Sequence, residues 1–297
     1  MMSYDSSSVF DFTDSQCVPL GMVTDKKKGG RKTKKPSEKD IMKEYMAEQR
    51  TKLSLLQQRK VYEHMEYLSP AERDRFEHHF CQPKNPSQKK LMTMLNDATK
   101  KIVISTGPAG TGKTLFSAQM AIRGFLTGQF EKIIFTRPSV SVDEDLGFLP
   151  GTLEEKMAPW MRPLFDILYA FFTPKEVTQL IEDKTMEICP LGYMRGRTFK
   201  HCCIVADEMQ NCSRSQMKML VTRIGENTRL FITGDLEQCD RKTGEGNGLE
   251  DFLEKMSKRR SHSITSVEFD VSDVEREPVV KEVLEIYAMD AASVSST

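Results

Sequence analysis

The chain has 297 residues, room for one large domain or two modest ones, with 38% hydrophobic and 29% charged residues and a formal net charge of +0. That balance fits a soluble globular protein with polar tails. No run approaches the roughly 18 continuous apolar residues of a membrane span, so no membrane partner is expected. A net charge of zero also removes a global basic field as a reason to expect nucleic acid. Met1 to Phe12 is polar and lacks the apolar core of a signal peptide. The seven cysteines, with Cys202 and Cys203 adjacent, show no disulfide-framework spacing, so a reducing cytoplasm is the expected location.

Residues 1–37 are rich in Ser, Gly and Lys and poor in large apolar groups, and are expected to form a disordered basic tail. Lys26, Lys27, Lys28, Arg31, Lys32, Lys34 and Lys35 have no acid among them. That run reads either as a solvated tail or as an electrostatic hold on nucleic acid. Residues 38–82 read as a helical arm. Met42, Tyr45, Met46, Gln49, Leu53 and Leu56 follow three- and four-residue steps, and Ser69-Pro-Ala-Glu72 is a capping signature that opens a short helix through about Phe80. The arm could lie on the core or on a neighbouring subunit; the sequence leaves both open.

From residue 83 to 290 apolar strands alternate with helices. The strands are expected at Ile102–Thr106, Ile133–Thr136, Met186–Cys189, Cys202–Ala206, Leu230–Thr233 and Val267–Phe269. Helices are expected at Leu115–Leu126, Gln216–Ile224 and Val279–Ala288, before a frayed tail at 291–297. This alternation predicts an α/β fold, a P-loop NTPase (RecA-like) parallel sheet flanked by helices and preceded by an α-helical N-terminal arm.

Within that frame, Gly107, Pro108, Ala109, Gly110, Thr111, Gly112, Lys113 and Thr114 spell G-x-x-x-x-G-K-[ST] between a strand and a helix that continues from Leu115. Glycines allow the backbone N–H groups to aim at one anion, and the following helix adds its positive end. Lys113 is expected to reach the β- and γ-phosphates of a nucleotide, and the Thr114 hydroxyl to ligate Mg²⁺. Cys202-Cys-Ile-Val-Ala-Asp207-Glu208 ends an apolar strand in two acids. Asp207 is expected to hold Mg²⁺ through water and Glu208 to orient the attacking water. Leu230-Phe-Ile-Thr-Gly234-Asp235-Leu-Glu-Gln238 places an amide where it can bond the γ-phosphate and report its loss. Upstream, the Gln88 amide offers the donor and acceptor that would read an adenine edge. Hydrolysis also needs positive charge on the transferring phosphoryl group; Arg137, Arg195, Arg197, Arg223 and Arg276 are candidates, each with a surface ion pair as the alternative. His201, Cys202, Cys203 and Cys212 cluster in sequence, but adjacent strand residues point to opposite faces, so buried thiols are expected in place of a zinc site.

These motifs together resemble the PhoH-like (phosphate-starvation-inducible) ATPases, whose core is similar to the first motor domain of superfamily 1 helicases. The resemblance rests on Asn85-Pro-Ser-Gln88, the phosphate loop, Thr136-Arg-Pro138, Leu146-Gly-Phe-Leu-Pro-Gly151, Met194-Arg-Gly-Arg-Thr198, Asp207-Glu-Met-Gln-Asn211, Lys218 to Gly225 and Gly234-Asp-Leu-Glu-Gln238. It implies an ATP- and Mg²⁺-dependent hydrolase that assembles into a ring, a homo-hexamer, and acts on RNA or single-stranded nucleic acid. It assigns Gln88 to adenine and Gln238 to phosphate sensing, and puts Arg137, Arg195, Arg197 and Arg223 on nucleic-acid-facing or subunit-contact surfaces. Asp273-Val-Glu-Arg276 resembles the family's closing Asp-Val-Val-Arg motif, which makes Arg276 the candidate arginine finger; Glu275 and Glu277 depart from the usual apolar and basic neighbours. Superfamily 1 motors close two such domains around one ATP, and only one is present here, so either hydrolysis is slow or a neighbouring copy completes the site.

Two functions follow from the sequence: an ATP-driven nucleic-acid motor, an RNA helicase among them, and an ATPase switch that changes assembly or partner binding without strand separation. A small-molecule kinase is disfavoured, because no acceptor-substrate motif accompanies the Gly-Asp-x-x-Gln strand end.

Overall fold

The computed structural model describes residues 54–138, 162–239, 246–275 and 279. The chain divides into two units, Met1–Gln49 and Arg50–Thr297, and every described residue lies in the second. Expectations for residues 1–37, most of the arm's first helix, the 146–151 motif and, beyond residue 279, the helix at 279–288 concern positions outside the described residues.

Six parallel strands form the centre: β1 (Ile102–Thr106), β2 (Lys132–Arg137), β3 (Met186–Pro190), β4 (Cys202–Ala206), β5 (Arg229–Gly234) and β6 (Ile264–Glu268), in the spatial order β3-β2-β4-β5-β1-β6. The expected α/β class with a parallel, helix-flanked sheet is what the chain forms. β1 and β4 match their expected limits; β2, β3 and β5 each run one or two residues further. β6 begins three residues earlier than expected, because Ile264, Thr265 and Ser266 are only partly buried at the sheet edge and give no continuous apolar signal.

The alternation of side chains divides the core cleanly. Val103, Ile133, Phe135, Cys203, Val205 and Phe231 face one apolar layer, whereas Ile102, Ile134, Cys202, Ile204, Leu230 and Ile232 face the other. Cys202 and Cys203 therefore sit on opposite faces of β4.

The helices in chain order are α1 (Arg59–Tyr62), α2 (Pro70–Glu77), α3 (Pro86–Asn96), α4 (Lys113–Leu126), α5 (162–169), α6 (Pro174–Glu182), α7 (Arg214–Val221) and α8 (Gly248–Ser257). α2 starts with the capping box expected at Ser69 and Glu72. The same signature, Thr173-Pro-Lys-Glu176, caps α6, and Ser213 with Gln216 caps α7. That cap starts α7 two residues before the expected position, and the helix stops at Val221 because the chain then turns so that Ile224 bridges Phe199.

The described part of the arm packs on the sheet's own core. Tyr62, Phe76 and Phe80 join the layer that holds α4, with ring centroids of Tyr62 and Phe76 4.4 Å apart and those of Phe80 and Phe171 5.1 Å apart. Arg123 of α4 pairs with Glu77 at 2.6 Å, and the Arg59 guanidinium lies 4.0 Å from the Phe125 ring centroid.

Candidate functional site at the strand ends

The order of the sheet puts β5 between β1, which leads into the phosphate loop, and β4, which leads into the two acids. The C-terminal ends of β1, β5, β4 and β2 thus open onto one crevice. The crevice is a cleft of about 360 Å³ lined by the loop, Arg137, Asp207, Glu208, Thr233, Gly234, Asp235 and Gln238, with Pro163 and Ile167 of α5 on its far wall.

The loop itself turns through Gly107, Gly110 and Gly112, at φ of 127°, 85° and 88°. Gly107 is irreplaceable on two counts: its φ suits glycine alone, and a Cβ would lie 2.2 Å from the Phe269 carbonyl oxygen. Gly112 caps α4 with no side-chain bond, so the first N–H groups of that helix are left for an anion. Lys113 Nζ donates to the Gly107 and Pro108 carbonyls at 2.6 Å each and to Thr111 Oγ1 at 3.3 Å. Burial pulls its pKa below the ordinary lysine value, while the carboxylates of Asp235, Glu208 and Asp207 oppose that shift.

Two segments brace the loop from outside. Gln88 is 3% exposed; its Oε1 accepts from the Lys84 N–H at 2.7 Å and its Nε2 donates to the Thr111 carbonyl at 3.1 Å. The amide expected to read adenine therefore already spans two backbone groups, keeping one N–H and one lone pair for a further partner. The turn after β6 supplies the second brace: Asn85 Nδ2 donates to the Asp273 carbonyl at 3.1 Å, and the Glu275 N–H donates to the Gly110 carbonyl at 3.1 Å. Arg276, the finger candidate, follows directly and lies outside the described residues.

Asp207 gathers the cations and hydroxyls of the cleft. Thr114 Oγ1 donates to its Oδ1 at 2.7 Å, and the Thr233 hydroxyl donates to the same oxygen. Arg137 Nε donates to its Oδ2 at 3.0 Å, with Nη2 on the same atom. A carboxylate beside a threonine hydroxyl at the mouth of a phosphate loop is a hard-oxygen set suited to Mg²⁺. Glu208 stands next to it with a 46% exposed side chain, 4.0 Å from Arg137 Nη2, on a left-handed backbone at φ 54°.

The structure thus brings Lys113, Thr114, Leu115, Asp207, Glu208 and Gln238 to one cleft. Arg137, a candidate both for charge on the phosphoryl group and for a nucleic-acid or subunit surface, points into the cleft, because alternation along β2 turns it to the same face as Phe135 and toward Asp207 just past the end of the neighbouring strand. Arg197 is occupied by the fold: it makes a two-pronged pair with Glu187 and lies 4.5 Å from the Phe199 ring centroid. Arg223 likewise donates to the Met219 and Arg197 carbonyls at 3.1 Å each. Arg195 is exposed.

Sequence reasoning passed over Thr233, Asp235 and Gln210. Thr233 was legible, since it shares its strand face with Phe231 and hence with Val205 and Asp207. Asp235 lines the cleft directly after Gly234. Gln210 stands inside the motif Asp207-Glu-Met-Gln-Asn211, but nothing local to it announces its contacts with Asp235 and Gln238.

An all-parallel sheet with a phosphate loop after β1 and an acid pair after β4 defines a P-loop nucleotide-binding protein. The comparison with known families makes this specific: residues 80–288 match the profile described as PhoH-like protein, and the chain belongs to that family. It is 42% identical over 209 residues to the PhoH-like protein of Mycobacterium bovis, covering 69% of this chain and 57% of that one. It is 41% identical over 186 residues to the PhoH-like protein of Bacillus subtilis, covering 63% and 58%. With Protein PhoH of Escherichia coli K12 the identity is 38% over 192 residues, covering 64% and 54%. The matched region thus spans a little over half the length of these relatives. Among solved structures, the Sulfolobus solfataricus SWI2/SNF2 ATPase core in complex with dsDNA aligns with a TM-score of 0.36 and 14% identity over 66% of this chain and 47% of its own, a likeness too slight to bear on function. Among the described residues no helix is long and apolar enough to cross a membrane.

Proposed function

We propose that this protein hydrolyses ATP with Mg²⁺ and couples the reaction to binding or remodelling of single-stranded nucleic acid, RNA foremost, in a ring of six copies in the cytoplasm. The observation that carries hydrolysis is the meeting of the phosphate loop, Asp207, Glu208 and Gln238 in one cleft. In this reading the loop N–H groups and Lys113 hold the β- and γ-phosphates, and Lys113 leaves the Gly107 and Pro108 carbonyls to do so. Thr114 and Asp207 would hold Mg²⁺, which would supply charge neutralisation on the phosphates. Glu208 orients a water in line with the γ-phosphate and accepts its proton as the bond to the β-phosphate oxygen breaks. Gln238 contacts the γ-phosphate, Gln88 the adenine edge, and Arg137 adds a cation from within the same chain. Arg276 of a neighbouring copy remains the proposed finger.

Support for the nucleic-acid part comes from the surface beside α7. Residues 191–200 and 213–225 contain no acid, and of their six cations Arg195, Lys200 and Lys218 are exposed and lie outside the ion pairs that Arg197 makes with Glu187 and Arg214 with Asp251. Tyr193, 62% exposed, stands among them as a stacking platform. The test is steady-state ATPase activity with and without single-stranded RNA and DNA at two salt concentrations. Stimulation that weakens with salt is expected; turnover indifferent to both nucleic acids would replace this reading with that of a nucleotide switch.

A further inference from the structure

Gln210 is 1% exposed, yet its side chain reaches the cleft's chemistry from behind. Its Oε1 accepts the Asp235 N–H at 3.0 Å; its Nε2 donates to Glu208 Oε2 at 2.7 Å and to the Gln238 carbonyl at 3.2 Å. Both N–H donors are used, and the orientation of the amide is fixed by its partners: flipped, it would set NH₂ against an N–H and an oxygen against a carboxylate. The packing is equally close. A Cβ on Gly234 would lie 3.0 Å from Gln210 Oε1 and 2.5 Å from Leu249 Cδ2, so glycine at the end of β5 is what lets the amide sit there. Glu208 itself holds a left-handed backbone, a conformation that persists in a non-glycine residue only where its surroundings enforce it.

We infer that Gln210 is a positioning residue: one buried carboxamide ties the Glu208 carboxylate to the Asp235–Gln238 turn, so that movement of Gln238 on loss of the γ-phosphate reorients the group that activates water. The inference rests on the proposed hydrolysis by Glu208. A hydrogen bond to one carboxylate oxygen leaves the other free to take the proton. Because the same nitrogen also holds the Gln238 carbonyl, the two contacts cannot move independently.

The test uses Gln210→Met, which keeps the length and removes the polar contacts, and Gln210→Glu, which can accept from Asp235 but, when ionised, sets a like charge against Glu208. Wild type and Glu208→Gln are measured in parallel. For Gln210→Met the expected result is ATP affinity within about threefold of wild type and single-turnover hydrolysis slower by about 10- to 100-fold. For Gln210→Glu single-turnover hydrolysis should fall at least as far as for Gln210→Met with ATP affinity again little changed, because a carboxylate can accept from Asp235 but cannot donate to Glu208 or to the Gln238 carbonyl; a residue that merely fills space would tolerate this near-isosteric change. In a double-mutant cycle, Gln238→Ala should cost less in the Gln210→Met background than in wild type. Unchanged hydrolysis in Gln210→Met, wild-type hydrolysis in Gln210→Glu, or strictly additive effects with Gln238→Ala would each overturn the inference while leaving Glu208 in place. Normal turnover by Glu208→Gln would overturn the underlying reading and this one with it.

Discussion

Replacing Arg229 by methionine tests how the fold holds the phosphate loop's supports. Arg229 opens β5, is 3% exposed and forms no ion pair among the described residues. Its guanidinium instead caps the C-terminus of α3. Nη1 donates to the Leu95 carbonyl at 2.6 Å, Nη2 to Asp97 at 2.9 Å and Met94 at 3.3 Å, and Nε to Lys100 at 2.9 Å, with the Phe231 ring centroid 4.9 Å from the guanidinium carbon. The last carbonyls of a helix have no partners within it, and a cation there also meets the negative end of the helix dipole. Burial lowers the Arg229 pKa, but an arginine stays charged. Methionine keeps the apolar contact with Phe231 and loses every donor. Of the four carbonyls, Leu95's is fully buried and would be stranded at about 1–3 kcal/mol, while the others recover water in part and would lose about 1 kcal/mol each. Relief of the arginine's own desolvation offsets some of this, leaving about 3–5 kcal/mol. For a domain of this size 1 kcal/mol corresponds to about 2–4 °C in Tm, so thermal denaturation followed by circular dichroism should show a fall of roughly 6–20 °C. Arg229→Lys, with fewer donors on one point, should fall between. A Tm for Arg229→Met within about 2 °C of wild type would refute the capping account.

Other outcomes follow from single contacts. Hydrogen bonding to Arg197 holds the Glu187 carboxyl below its ordinary pKa, so that pair stabilises the fold above the unfolded carboxylate pKa and the contribution is lost as pH falls through the folded value. Arg197→Gln should therefore lower Tm at pH 7 and converge with wild type at acid pH; a gap that persists at low pH would contradict this. Gly107→Ala drives a Cβ into the Phe269 backbone and should reduce ATP affinity at least tenfold, as read by fluorescent-nucleotide titration. Among the described cysteines, alkylation of the native protein should reach exposed Cys81 first and spare Cys189, whose thiol is pushed up to about 12 by burial; early labelling of Cys189 in a mass-spectrometric time course would show the site to be open.

Much of this was legible in the chain because local chemistry sufficed. Ile102–Thr106 opens on three apolar β-branched residues and Cys202–Ala206 is apolar throughout; both end in polar turns, and both are buried on the two faces as such runs require. The phosphate loop needs no partner from elsewhere to be recognised. What escaped was decided by tertiary approach. Arg137 looks like any arginine at a strand end until β2 lies beside β4 and alternation turns it on Asp207. Arg197 is absorbed by Glu187 only because β3 runs at the sheet edge with Glu187 turned toward it. Gln210 is buried because Gly234, at the end of another strand, leaves room for it, which one sequence does not announce. The helix α6 is a different matter: Thr173-Pro-Lys-Glu176 carries the same signature as Ser69-Pro-Ala-Glu72 and could have been read.

The central claim, that Glu208 activates water for ATP hydrolysis in a cleft built by Lys113 and Asp207, is tested most directly by phosphate release under single-turnover conditions, with equilibrium ATP binding measured on the same samples. Wild type should bind ATP and release phosphate in a Mg²⁺-dependent reaction, and Glu208→Gln should bind with similar affinity and release phosphate at least about 100-fold more slowly. Phosphate release by Glu208→Gln at the wild-type rate, or none from a wild-type protein that binds ATP with Mg²⁺, would contradict it.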